Sequence, residues 1–194
     1  MQELTTTDKE IIFQISDWYI PENDKIVVIS DNNELKLNKI YPEKDIYTWV
    51  VKVENFSKTN IDFCDLIKPA LRYNPEWLII SESRGKESFD MINAATTGHN
   101  IITTLHASSA SDIPIRLLNM CTEKNTNINE KTLSKNIYNI IDLGIQMTTK
   151  FNLDKTITRE ISEIVYFKNE SEVIKIYDSN NKQIKIPSEI LERL

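Results

Sequence analysis

Apolar positions follow two periods along this chain. As far as Ile141, short β-branched runs are separated by segments whose apolar residues recur every three or four positions; beyond it the alternation is largely two-fold. Asp8 to Trp18 predicts a short helix with Ile11, Ile12 and Ile15 on one face, closed by Pro21. KIVVIS (25–30) is an unbroken apolar run, the pattern of a strand buried on both faces, and IYTWVVKVE (46–54) predicts a second strand. Helical spacing returns at 61–73 through Phe63, Leu66, Ile67, Ala70 and Leu71; Pro69 there must kink the helix or open the first turn of a new one. EWLIISES (76–83) predicts another buried strand that ends abruptly in polar residues. A helix over 86–98 follows, and its closing Gly98 suits a left-handed cap. Ile101–Leu105 predicts a buried strand with a histidine beyond each end. Residues 109–124 and 129–141 read as helices, the first entered through Ser109 or Ser111 as a cap. The segments 143–151, 156–168 and 171–179 alternate as strands, with Asn180-Asn181 as a turn.

Strands alternating with helices predict an α/β layered sheet, here with an antiparallel extension over 143–186. With no internal repeat, low-complexity tract or Gly/Ser linker, residues 1–194 are expected to form a single domain. Hydrophobic content of 40% supplies a core, and a charged content of 27% with net charge -6 is ordinary for a soluble chain. Lys and Arg are scattered, which argues against direct nucleic-acid binding, where a basic stripe is expected. No apolar run approaches the roughly 20 residues of a membrane span, and MQELTTTDKE lacks a signal-peptide core. Cys64 and Cys121 show no metal-ligand spacing, so the simplest expectation is two reduced thiols in a cytoplasmic protein; a Cys/His zinc site is the alternative.

Candidate chemistry gathers at strand ends. In open α/β sheets ligands bind beyond the carboxyl ends of the strands. KIVVIS ends in Ser30-Asp31 with Glu34 just after, EWLIIS ends in Glu82-Ser83-Arg84-Gly85, and the strand of Ile101–Leu105 ends in His106. An apolar strand ending in an acid can orient water or hydrated magnesium against a phosphate. Such an acid can equally cap the following helix. Both histidines of the chain, His99 and His106, flank one strand; each can shuttle charge near neutral pH, bind metal, or hydrogen-bond in place.

Taken together, residues 66–120 resemble the core of the type II/type IV secretion ATPases, the group of GspE- and VirB-type motors, and especially the CpaF-like branch that powers Tad-type pili. The family block LRxxPDxIIxGExRG is matched by Leu71, Arg72, Pro75, Ile79, Ile80, Glu82, Arg84 and Gly85. The histidine box TGHxxxxTLHA is matched from Thr97 to Ala107. The likeness extends back over 20–37 and forward over TREISEIV (158–165). It implies a RecA-like P-loop NTPase-type sheet with helices on both faces. It also implies ATP with Mg2+ held at the subunit interfaces of a hexamer, homo- or heteromeric, working against a secretion or pilus platform at the inner face of the cytoplasmic membrane. Glu82 would then be the Walker B acid with Arg84 beside it. His99 and His106 would flank the γ-phosphate region, and Asp31 and Glu34 would be what remains of an acidic box.

Departures from that pattern are as informative. Counting back from Pro21, TTTDKE (5–10) stands where the family carries GxxGxGKTT. Lys9 lands on the phosphate-binding lysine, but Asp8 replaces the preceding glycine and Glu10 the magnesium-binding hydroxyl residue. The glycines let backbone N–H groups wrap the phosphates. Charge-assisted hydrogen bonds contribute about 1.5–3 kcal/mol each, so losing two weakens ATP on the order of 10²–10⁴-fold. Ser30 stands where a catalytic glutamate is expected, and the family's arginine-finger positions fall roughly on Thr48 and Lys52. The expectation is a nucleotide-impaired family domain with a structural or regulatory role. The alternative is an active motor completed by a P-loop segment upstream.

Overall fold

The run Ile-Val-Val-Ile-Ser forms β1 (Ile26–Ser30), and every residue of it is buried. The computed structural model describes residues 20–32, 35–52, 60–123, 128–181, 184 and 186–191, so the helix expected over Asp8–Trp18 lies outside it. The chain divides into two compact units, one holding the described parts of 4–106 and 120–126, the other those of 107–119 and 127–194.

In the first unit β1 lies between β2 (Ile46–Val50) and β3 (Trp77–Ile80), and β3 pairs in turn with β4 (Asn100–Thr103). All three pairings are parallel; Ile26 faces Ile46 on one side and Trp77 on the other, and Ile79 faces Ile102. The parallel arrangement places all four carboxyl ends at one edge. Ile26, Val28 and Ile79 pack with Ile20, Leu35 and Leu37 in the core, where Leu37 belongs to a one-turn helix, α1 (Leu37–Ile40).

Two strands differ from expectation. β2 stops at Val50 because its ladder partner ends at Ser30, whose carbonyl accepts the last bond from Val51 N (2.8 Å); beyond it Lys52 only bridges to Ile61. The strand between the histidines runs from Asn100 and is half-buried, since β4 has a partner on one side only among the described strands.

The helix α2 (Phe63–Leu71) opens with a reciprocal capping box: Asp62 accepts from Asp65 N (3.2 Å) and Asp65 accepts from Asp62 N (3.0 Å). Pro69 starts no new helix; it sits in the last turn, and the helix ends two residues later. α3 (Glu87–Thr96) closes as expected, with Gly98 at φ 97° supplying the left-handed step.

The segment expected to be one helix over 109–124 enters through a 3-10 turn, Ala110–Asp112, before α4 (Ile113–Thr122). Ser109 makes no cap to backbone there; its hydroxyl donates to Asp112 Oδ2 (2.8 Å). α5 (Glu130–Ile140) is capped by Asn129, which accepts from Thr132 N (3.1 Å).

The antiparallel extension is a meander of β5 (Leu143–Phe151), β6 (Ile157–Asn169) and β7 (Glu172–Asp178). Within that second unit Ala110, Val165 and Phe167 pack with Ile113, Tyr138 and Ile141, and the Tyr138 and Phe167 rings meet edge-on at 6.2 Å. Gly144 leaves room for this contact: a Cβ there would lie 2.8 Å from Ile113 and 3.0 Å from Phe167. A final turn, α6 (Ser188–Leu191), is too short to show periodicity in sequence.

Candidate functional site

β3 delivers its polar tail to the carboxyl edge of the parallel sheet without leaving the core. Ser81, Glu82 and Ser83 are all buried, Glu82 to 3% exposure. Thr104, just past β4, ties the two strand ends together: its hydroxyl donates to Ser81 O (2.6 Å), and its carbonyl accepts from Ser83 N (2.8 Å). That double clasp explains why His106 meets Glu82. His106 Nε2 lies 3.0 Å from Glu82 Oε1.

Arg84 closes on the same carboxylate from the other direction. Its Nη2 donates to Oε2 at 2.7 Å and its Nε lies 2.7 Å from Oε1, an ion pair that engages both oxygens. The bond to Glu82 raises the affinity of the guanidinium for its proton still further above its ordinary range. Arg84 Nη1 also approaches Asp31 Oδ2 at 3.4 Å, and Ser81 Oγ donates to Asp31 Oδ1 at 3.5 Å. Two acids, one arginine and one histidine thus share a site in which the carboxylate of Glu82 is buried while Arg84 is 59% exposed. A buried carboxylate is tolerated only when paired in this way.

The structure brings Glu82, Arg84, His106 and Asp31 together; it does not bring His99 to them. His99 lies at the opposite, amino end of β4, where Nδ1 is 3.2 Å from Thr97 Oγ1 and 3.3 Å from Ala94 O at the end of α3. Lys9 and Glu34 lie outside the described residues. Ser30, where the family pattern calls for an acid, is buried at the end of β1.

Three residues that the sequence did not single out support the cluster. Thr104 is one. Glu87, in the first turn of α3, turns its carboxylate back so that Oε1 accepts from Arg84 N (2.5 Å) and Gly85 N (2.7 Å). Ser88 lies 2.6 Å from Ser83 through their hydroxyls. Glu87 and Ser88 are buried although they read as exposed positions of a helix start; only their nearness to the Glu82 loop hints at the role.

Among the described residues no group of three or more His, Cys, Asp or Glu is placed to hold a metal ion. Because Arg84 engages both Asp31 and Glu82, the cluster in this arrangement does not fit magnesium. What it offers is an edge of paired charges on which the half-exposed guanidinium of Arg84 can turn towards solvent.

Comparison with known proteins bears on what such an edge serves. The model of the type II/IV secretion system protein family matches residues 5–181. An uncharacterized protein of Bacillus anthracis is 32% identical over 143 residues, covering 74% of this chain and 31% of its own length. The type IV secretion system protein PtlH of Bordetella pertussis is 34% identical over 104 residues, covering 53% of this chain and 30% of its own. Among solved structures, the VirB11 ATPase of the Brucella suis type IV secretion system, in complex with sulphate, superposes with a TM-score of 0.64 at 24% identity. That match covers 83% of this chain and 45% of the ATPase, a likeness of fold. The chain spans less than half the length of each of these three proteins.

Proposed function

Because the chain belongs to the type II/IV secretion system protein family and has its RecA-like α/β fold, we propose that it serves in a secretion or pilus-assembly ATPase as a nucleotide-impaired subunit, structural or regulatory in role. The observation that carries this reading is the engagement of both oxygens of Glu82 by Arg84. A carboxylate so engaged on both oxygens, with His106 3.0 Å from Oε1 as well, is turned towards protein groups, which opposes its orienting an attacking water. Asp8 and Glu10 beside Lys9 support it, since two carboxylates oppose the phosphate charge that a glycine-rich loop would cradle. On this reading the chain works in a hexamer with like or related subunits, at the inner face of the cytoplasmic membrane against a platform protein. No described helix is long and apolar enough to cross a membrane.

Calorimetry with Mg-ATP, together with phosphate release from wild type and Glu82→Gln, is the test. The expected outcome is no binding in the micromolar range and no release that the substitution abolishes. Tight binding with Glu82-dependent release would overturn it.

A second reading, an active motor completed by an upstream P-loop, is favoured by one observation: Glu82, Arg84 and His106 stand together as working parts would. There Arg84 would leave Glu82 for a phosphate, freeing the carboxylate to orient water.

A further inference from the structure

The loop between β3 and α3 is held by more than its two ends, and the extra hold centres on Glu87. This side chain belongs to α3 yet is 8% exposed, because it folds back over the helix start. One oxygen, Oε1, takes two consecutive backbone donors, Arg84 N at 2.5 Å and Gly85 N at 2.7 Å. An acid in the first turn of a helix ordinarily faces water and interacts with the helix dipole. Here it is inserted behind the loop instead. The same turn supplies Ser88, whose hydroxyl meets Ser83 at 2.6 Å.

We propose that Glu87 is a positioning residue that sets the Arg84–Glu82 pair. Arg84 stands two residues after Glu82, and its side chain must double back to present Nε and Nη2 to both carboxylate oxygens. That geometry depends on the direction in which the backbone leaves Arg84. Glu87 defines it by holding the N–H groups on either side of the Arg84 Cα–C unit. Ser83 N, bound to Thr104 O at 2.8 Å, fixes the residue between Glu82 and Arg84. Glu87 touches neither carboxylate of the cluster in any hydrogen bond, so its effect on Glu82 passes through Arg84. The functional weight of this arrangement rests on the proposed function, in which Arg84 withholds Glu82 from a nucleotide. The positioning itself is a property of the folded chain.

The experiment follows the Nη2–H resonance of Arg84, the group that donates to Glu82 Oε2, in ¹⁵N-labelled protein near pH 6.5, assigned by its loss in Arg84→Lys. A guanidinium N–H held by a buried carboxylate exchanges slowly with water and remains visible. Glu87→Ala is expected to abolish the resonance and to speed exchange of the Arg84 and Gly85 amides by about tenfold or more, as for loss of a charge-assisted bond. Glu87→Asp, one methylene short of both donors, does the same and serves should the alanine variant fail to fold. Glu87→Gln keeps the resonance, since the amide oxygen can still accept both bonds.

Persistence of the resonance in folded Glu87→Ala or Glu87→Asp would overturn the proposal. Its absence from wild type would do so as well. A role confined to helix stability would lower the melting temperature and leave the resonance in place, which also rejects positioning. Phosphate release from the same samples separates the two layers. If Arg84 responds as expected while wild type releases phosphate and Glu82→Gln abolishes that release, the nucleotide-impaired reading falls and the positioning stands.

Discussion

Glu82 and Arg84 are unequal partners, and the inequality predicts how each substitution behaves. Removing Arg84 deprives a carboxylate that is 3% exposed of its guanidinium, whereas removing the charge of Glu82 leaves a guanidinium already 59% exposed and able to hydrate. Arg84→Ala should therefore destabilise the chain by about 2–3 kcal/mol, and Glu82→Gln by roughly 1 kcal/mol. Urea denaturation of both variants checks the order; equal losses would show that the buried charge is not the dominant cost. The thiols give a second test at this scale. Burial pushes Cys64 up to about 11 and Cys121 up to about 12. At pH 8 the thiolate fraction then lies about two orders of magnitude or more below that of a free cysteine. Native alkylation by iodoacetamide should be slower by that margin, accelerating roughly tenfold per pH unit between 8 and 10. Alkylation at the free-cysteine rate in the folded state would contradict the burial of Cys121 and the partial burial of Cys64. Legibility at this scale was uneven. Glu82 and His106 were visible because each follows an apolar run, and topology does the rest. Glu87 was not, since nothing in the string ESRGKES tells an acid that caps a helix from one that turns inward.

Elements carry their own predictions. Asp62 caps α2 and pairs with Lys86 at 2.5 Å, and the hydrogen bond from Lys86 is the main reason its pKa lies below the ordinary carboxylate range. A carboxyl whose folded affinity for protons is depressed contributes stability above its unfolded pKa, near 3.8, and loses it as pH falls through the lower folded value. Asp62→Ala should cost about 1 kcal/mol at pH 7. The difference from wild type should narrow below pH 4, which thermal melts across pH 2.5–7, a range of roughly five units, can follow. Gly144→Ala should cost about 1–3 kcal/mol by overpacking, because the new methyl meets Ile113, Phe167 and the Ala110 carbonyl at 2.8–3.1 Å. An unchanged melting temperature would mean that the second unit relaxes more readily than its packing implies. Long or strongly patterned elements were legible: β1 from its unbroken apolar run, and β5 to β7 from a largely two-fold alternation. Leu37–Ile40 and Ser188–Leu191 are single turns with no room for a period, and β2 ends where β1 ends, a limit set by pairing partners that local pattern does not contain.

At the scale of the molecule, apolar surface bears on assembly. Phe151 is 71% exposed and Ile157, its partner across the β5–β6 ladder, is 49% exposed; Leu143 and Ile145 on β5 are likewise uncovered. Exposed apolar groups that adjoin one another favour association. The isolated chain should scatter light as more than a monomer, or become monomeric only with a cognate full-length ATPase absent and Phe151 replaced by serine. A well-behaved wild-type monomer unaffected by such an ATPase would count against a role in a ring. The contrast between the two sheets also has a temporal meaning. Strands β5, β6 and β7 are neighbours in sequence and in space, so each pairing closes a short loop. Strands β2, β1, β3 and β4 pair in parallel, and β1 with β3 out of sequence order, so every contact waits for a crossover to close. Pulse-labelled hydrogen exchange during refolding should find the meander amides of Val165 to Phe167 protected before those of Val27 to Ile29. The edge that carries Glu82 would then be the late product of folding, assembled when the carboxyl-terminal hairpins already stand.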